Sequence, residues 1–226
     1  MSYEALRISY EAISAVLCII LVRFMIKPYL VTRESRYLGL PLGFGFLGAT
    51  YALSAFLYSQ PNLFGTVTLY LQLIVRAFAF VFLCLTYYFS DRSAENNRSL
   101  WNITLVLVVI GLITSILLVS VPDVGLPSYQ LTSIFVRVFI LICIGYICAH
   151  TLRSHIKTPD PETIWTPLGY FFLGISQYSL IIWSIDSSYS AFFGALGLRW
   201  VGLAILLLIS YRSFYKRRRP NEKNRT

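Results

Sequence analysis

A chain of 226 residues that is 57% hydrophobic and only 13% charged, with a mean hydropathy of +0.67, lies outside the range of soluble domains, which run nearer half apolar and about a quarter charged. The formal charge of +9 does not point to nucleic acid, because seven of the nineteen Lys and Arg crowd into the last fifteen residues and no nucleic-acid-binding motif accompanies them. A soluble enzyme, a secreted disulfide scaffold, a disordered chain and a nucleic-acid-binding domain are excluded, and an all-α integral membrane protein is expected.

The first predicted helix covers about residues 5–26 and holds Arg7 and Glu11 in its opening turns. No small-residue cleavage site follows, so this helix is expected to be its own targeting signal. Arg23, Lys27, Arg33 and Arg36 flank its far end. Helix two, about 37–58, opens on the run PLGFGFLG from Pro41 to Gly48. Helix three, about 66–89, carries Thr68, Gln72 and Arg76 at a spacing of four, which sets them on one stripe. Helix four, about 100–121, contains no charge at all.

Helix five, about 129–152, has Gln130, Ser133 and Arg137 on another stripe. Helix six, about 164–185, begins PLGYFFLG from Pro167 to Gly174, identical to the Pro41 run at six of eight positions. Helix seven, about 191–214, contains Arg199, and a basic tail of residues 215–226 follows. That tail is expected to meet anionic lipid headgroups on the cytoplasmic side. No connection exceeds about a dozen residues, so residues 1–214 form a single seven-helix domain and any function is built from the helices and their ends.

Orientation follows from the loops. Those after helices one, three and five contain Lys or Arg, whereas those after helices two, four and six contain none. The positive-inside rule then puts the N-terminus outside and the tail in the cytoplasm of a multi-pass cell-membrane protein. Trp101, Trp165, Tyr87, Tyr88 and Tyr211 on the inner side, with Tyr58, Tyr129, Trp183 and Tyr189 on the outer, suit interfacial aromatic belts.

The paired PLG segments indicate an internal duplication. Helices one to three (about 1–89) align with helices five to seven (about 129–214), leaving helix four as a linker. This alignment sets Arg76 against Arg199 and Arg7 against Arg137. Both triplets would cross the membrane in the same sense, a parallel 3+1+3 repeat about an axis along the membrane normal. As topology, the arrangement resembles that of SWEET-type sugar transporters with their PQ-loop relatives, and that of the seven-helix microbial rhodopsins. Neither family's signature residues are present. The single Gln60-Pro61 pair lies in an outer loop in the reverse order, and residues 191–214 contain no lysine for a Schiff base. No functional residue is carried over from either.

Charges inside a span cost about 2.5 to 3.5 kcal/mol each on insertion scales and therefore usually face the bundle interior. Arg76, Arg137 and Arg199 each lie about 12 to 15 Å from the outer end of their helix, at 1.5 Å per residue. With Gln72, Gln130 and Ser133 they form a candidate site for an anionic or polar ligand. Acidic partners are few: Glu11, which the spacing of four sets within reach of Arg7, and Glu4, Asp123 and Asp186 near the surface. The competing reading is that the arginines only lock helix packing through carbonyls and Tyr or Gln side chains. Pro41 and Pro167, at equivalent places in two halves, are candidate hinges. They also suit an ordinary first helical turn.

Cys18, Cys84, Cys143 and Cys148 all fall within spans and imply no disulfide. Cys148, His150 and His155 lack further ligands for a metal, and no cofactor or enzyme motif occurs. The expected function is a small transporter or carrier binding a solute between the triplets. The alternative is a receptor-like or accessory subunit that senses a ligand, holds a protein partner or forms a homo-oligomer.

Overall fold

The computed structural model describes residues 3–32, 35–59, 66–90, 94–121, 127–157 and 164–215. The apolar runs become α1 (Tyr3–Thr32), α2 (Gly39–Ser59), α3 (Thr66–Ser90), α4 (Ala94–Ser120), α5 (Tyr129–Lys157), α6 (Trp165–Asp186) and α7 (Tyr189–Tyr215), with a single 3-10 turn over Ser35–Leu38 leading into α2. Seven of these helices are long and apolar enough to cross a membrane. Helices α1, α4 and α5 run several residues beyond their predicted ends, α1 passing through Pro28. The physical reason is that an apolar run marks a hydrocarbon thickness, whereas the backbone hydrogen-bond ladder continues into polar sequence. The basic tail residues Lys216, Arg217, Arg218, Arg219, Lys223 and Arg225, and the loop residue Asp123, lie outside the described residues.

Six helices close into a ring. Helix α1 packs on α2, α2 on α3, α3 on α5, α5 on α6, α6 on α7, and α7 back on α1. Helix α4 stands outside it, touching only α3 and the 3-10 turn among the described residues. It is also the most apolar span, with a mean hydropathy of 2.8 and 11% of that window buried. The ends at which α1, α3, α5 and α7 begin are called the upper end below.

Glycines set the closest approaches within the ring. A Cβ on Gly43 would come 2.7 Å from the Leu83 side chain and 3.0 Å from the Ala79 carbonyl oxygen. On Gly169 it would come 2.9 Å from the Leu206 side chain and 3.3 Å from the Gly202 carbonyl oxygen. Small residues of this kind let backbones meet where no hydrophobic gain is available from lipid. Gly48 packs on Cys18 and the Ala15 carbonyl, and Gly174 on Ile144 and Leu141. Pro41 and Pro167 are both buried and both occupy the third position of their helix. There a missing N–H removes no intrahelical bond.

The lower part of the ring is filled by one apolar core that includes Cys18, Leu21, Phe44, Leu47, Phe80, Leu83, Ile140, Ile144, Tyr170, Leu173, Leu203 and Leu206. Trp101, expected at the interface, is instead buried at 2% exposure and meets Phe89 edge to face with centroids 5.3 Å apart. Tyr87 is likewise turned inward, its hydroxyl 3.2 Å from that of Tyr170. Trp165, Tyr88, Tyr189 and Tyr211 are exposed as belt residues should be.

Candidate functional site

Above the apolar core the ring encloses a cavity of about 260 Å³. Arg76 from α3, Arg137 from α5 and Arg199 from α7 all line it, together with Arg7 and Glu11 from α1 and Gln72 from α3. The three arginines fall eight to ten residues into their helices, so their Cα atoms lie about 12 to 15 Å below the upper end. The remaining wall is Ser54, Leu69, Leu73 and Leu180, with Tyr58, Tyr129, Trp183 and Phe192 toward the upper end. Tyr58, Tyr129 and Trp183, expected as interfacial belt residues, thus turn one face to the cavity.

Each guanidinium is held differently. Arg199, 1% exposed, donates from Nη1 to Glu11 Oε2 at 2.8 Å, and its Cζ stands 4.5 Å from the centroid of the Tyr51 ring. Arg7 donates to the Tyr58 hydroxyl and lies over the same ring at 3.5 Å. Glu11 is therefore engaged across the bundle by Arg199 and not by Arg7 one turn away. The competition is decided by burial: Arg199 has no aqueous alternative, so the acid is worth more to it than to an arginine close to the upper end. Arg137 donates from Nη1 to the Leu180 carbonyl oxygen.

Arg76 differs from the others. Among the described residues it makes no ion pair and no hydrogen bond; its Nε is buried without a partner, and its Cζ lies 5.1 Å from the Tyr51 centroid. Beside it, Gln72 accepts from Ser54 Oγ at 3.0 Å through Oε1, while its Nε2 is buried without a partner. Arg76 and Gln72 are each 8% exposed. Buried donors in folded chains almost always have acceptors, yet among the described residues four that line this cavity carry one without, Arg7 Nε, Gln72 Nε2, Arg76 Nε and Arg199 Nε.

Two of the sequence-derived site residues are not brought to this cavity. Gln130 is exposed, and its Nε2 donates to the Ser184 carbonyl oxygen at 2.7 Å, which ties α5 to α6. Ser133 is buried with an unpartnered hydroxyl but does not line the cavity. Tyr51 and Tyr58, which hold three of the four guanidinium groups by their ring faces, carry no sequence signal that separates them from the chain's other tyrosines. Asp186 is exposed, and neither it nor Glu4 lines the cavity. The Cys148 thiol is turned to the Pro167 carbonyl oxygen at 3.6 Å, and among the described residues no cluster of three His, Cys, Asp or Glu converges on a point.

The chemistry available is electrostatic. Four arginines and one glutamate give the cavity wall an excess of three positive charges, in surroundings where unpaired charge is costly. Planar guanidinium groups offer paired N–H donors that match carboxylate and phosphate oxygens. No family model, no curated protein and no solved structure matches the chain.

Proposed function

We propose that the chain is a multi-pass membrane protein, a small carrier whose central cavity receives a small solute bearing a carboxylate or phosphate group. The observation that carries this reading is the charge imbalance, four arginines against one glutamate around one buried space. Its volume of about 260 Å³ lies just below the range of drug-sized pockets, roughly 300–1,000 Å³. That suits a metabolite-sized anion. Membrane insertion is supported by the outer surface of the ring, where Phe135, Ile142 and Phe171 are exposed on successive helices and α4 turns Leu107, Ile110, Leu117 and Leu118 outward. Water would penalise a contiguous apolar surface of this extent.

A parallel 3+1+3 repeat is supported by the glycine contacts. Gly43 on Ala79 and Leu83 corresponds to Gly169 on Gly202 and Leu206, and Gly48 on Ala15 and Cys18 to Gly174 on Leu141 and Ile144. These pairs set α1 and α2 against α5 and α6 at a spacing of 126 residues, and α3 against α7 at 123. The ring order agrees, since exchanging the triplets leaves every neighbour relation intact. Under this alignment Glu11, not Arg7, stands opposite Arg137. The loop charges place the upper end outside the cell.

A second reading, ligand sensing by a receptor-like or accessory subunit, is favoured by the apolar core that fills the ring beneath the arginines. Proteoliposomes containing the purified chain separate the two. Saturable uptake of acetate, succinate or inorganic phosphate that is lost in Arg76→Gln is expected for the carrier. Saturable thermal stabilisation by these anions without uptake selects the sensor, and the absence of both overturns the anion reading.

A further inference from the structure

The alignment of the two triplets can be followed into the cavity wall. Arg76 corresponds to Arg199, Leu69 to Phe192, Ser54 to Leu180 and Glu11 to Arg137, and all eight residues line the cavity. The space therefore straddles the axis relating the halves, and each half supplies the same four positions. Two of the pairs keep their character, Arg76 with Arg199 basic and Leu69 with Phe192 apolar, while Ser54 with Leu180 exchanges a polar for an apolar side chain. The fourth inverts charge, an acid on α1 against a base on α5.

That inversion has a geometric consequence. At one junction between the halves α1 and α7 meet through an ion pair, Glu11 with Arg199 at 2.8 Å. At the other junction the equivalent contact, between α5 and α3, brings Arg137 and Arg76 to the cavity with no acid among the lining residues beside them. The place that mirrors the Glu11 carboxylate is bordered by two guanidinium groups. Two of the four buried donors without acceptors on the cavity's lining residues, Arg76 Nε and Gln72 Nε2, belong to this side, the others being Arg7 Nε and Arg199 Nε. Burying like charges without a counter-charge is strongly unfavourable.

We propose that the ligand's carboxylate or phosphate group binds between Arg76 and Arg137, accepting also from the Gln72 amide, and completes at the α3–α5 junction the ion pair that Glu11 makes with Arg199 at the α1–α7 junction. Arg199 is already committed to Glu11 and serves as the internal counterpart, not as the primary ligand contact. Glu11 is thus a covalently attached model of the anion. This inference rests on the anion reading and assigns that anion its position. The cavity is surrounded laterally by the six helices of the ring, which favours a free small anion over the headgroup of a diacyl lipid.

The test is thermal unfolding of the full chain in detergent, titrated with acetate or inorganic phosphate against chloride at matched ionic strength, and separately with an anionic phospholipid. Arg137→Glu is the decisive variant, because it supplies in the second half the carboxylate that the first half already has. It is expected to raise the melting temperature in the absence of anion and to abolish the saturable anion response. Arg76→Gln and Arg137→Gln are expected to weaken that response at least tenfold. The double variant E11Q/R199Q is expected to keep it within threefold.

A lower melting temperature for Arg137→Glu overturns the mirrored geometry, whether or not anions bind. Loss of the response in E11Q/R199Q with retention in Arg76→Gln moves the site to Arg199 and overturns the assignment. No response of the unaltered chain to any anion overturns the anion reading itself, and a stabilising Arg137→Glu in that case identifies the failure as the ligand and not the geometry. A response to the phospholipid alone replaces the free anion by a lipid headgroup.

Discussion

Arg199 and Glu11 are the two cavity charges that pair with each other, and they show what the remaining arginines lack. With side chains 2% and 6% exposed and 2.8 Å apart, neither has water as an alternative partner. Removing one member of such a pair leaves the other charged and buried, at a cost of about 3–5 kcal/mol. Glu11→Gln is therefore expected to lower stability by that order in denaturant or thermal unfolding. E11Q/R199Q should recover much of the loss, since no unpaired charge is left. A Glu11→Gln protein as stable as the parent would mean that Arg199 is satisfied by the Tyr51 ring alone. Part of the site was legible in sequence for the same energetic reason: Arg76, Arg137 and Arg199 stand out because charge within an apolar run is expensive. Gln72 followed from its place one turn from Arg76. Gln130 and Ser133 share a stripe with Arg137, but a stripe has width, and a residue in the first helical turn can reach a neighbouring carbonyl, as Gln130 does at Ser184. The roles of Tyr51 and Tyr58 depend on which ring face meets which guanidinium, and that is decided only by helix rotation in the assembled bundle.

Helices α2 and α6 owe their positions to glycines that were visible as a repeated PLG run but not as contacts. At Gly43 an added methyl group would meet the Ala79 backbone oxygen at 3.0 Å as well as the Leu83 side chain, and at Gly169 the Gly202 oxygen at 3.3 Å together with Leu206. Backbone cannot yield as a side-chain tip can, so Gly43→Ala and Gly169→Ala are each expected to destabilise by roughly 1–3 kcal/mol through overpacking. Gly145 and Gly194 have nothing within 4 Å of the same point. Their replacement by Ala should be neutral or stabilising by up to about 0.5–1 kcal/mol, because a helical glycine carries an entropic penalty. Unfolding midpoints of the four variants check the contrast, and equal effects at all four positions would remove close packing as the reason for the repeated glycines. The existence and number of the helices were legible from uninterrupted apolar sequence. Their ends were not, as the extension of α1 through Pro28 to Thr32 shows, because helices do not stop where hydrocarbon does.

For the whole molecule, α4 has a part to play although it stands outside the ring. A triplet of antiparallel spans that begins on one side of a membrane ends on the other, so a second triplet of the same sense requires one further crossing between them. Under the proposed parallel repeat helix α4 would supply that crossing, and its slight burial and high hydropathy fit a span with few duties in packing. The ring order α1, α2, α3, α5, α6, α7 could not be read from the chain, because the spans are apolar over most of their surface and a polar stripe such as that of Gln72 and Arg76 shows which face turns inward but not which neighbour it will meet. The direction of each crossing is an expectation from the Lys and Arg in alternate loops, which labelling tests. Single cysteines at Asn62, Gly125 and Ser188, introduced after replacement of Cys18, Cys84, Cys143 and Cys148, should react with a membrane-impermeant maleimide in intact cells. A cysteine at Thr158, after helix five, should react only once the membrane is opened. All three of these positions lie in loops with no basic residue, so a consistent pattern would place the opening of the arginine cavity outside the cell. Labelling at Thr158 in intact cells, with protection at the other three, would invert the protein and make the cavity a receiver of cytoplasmic anions.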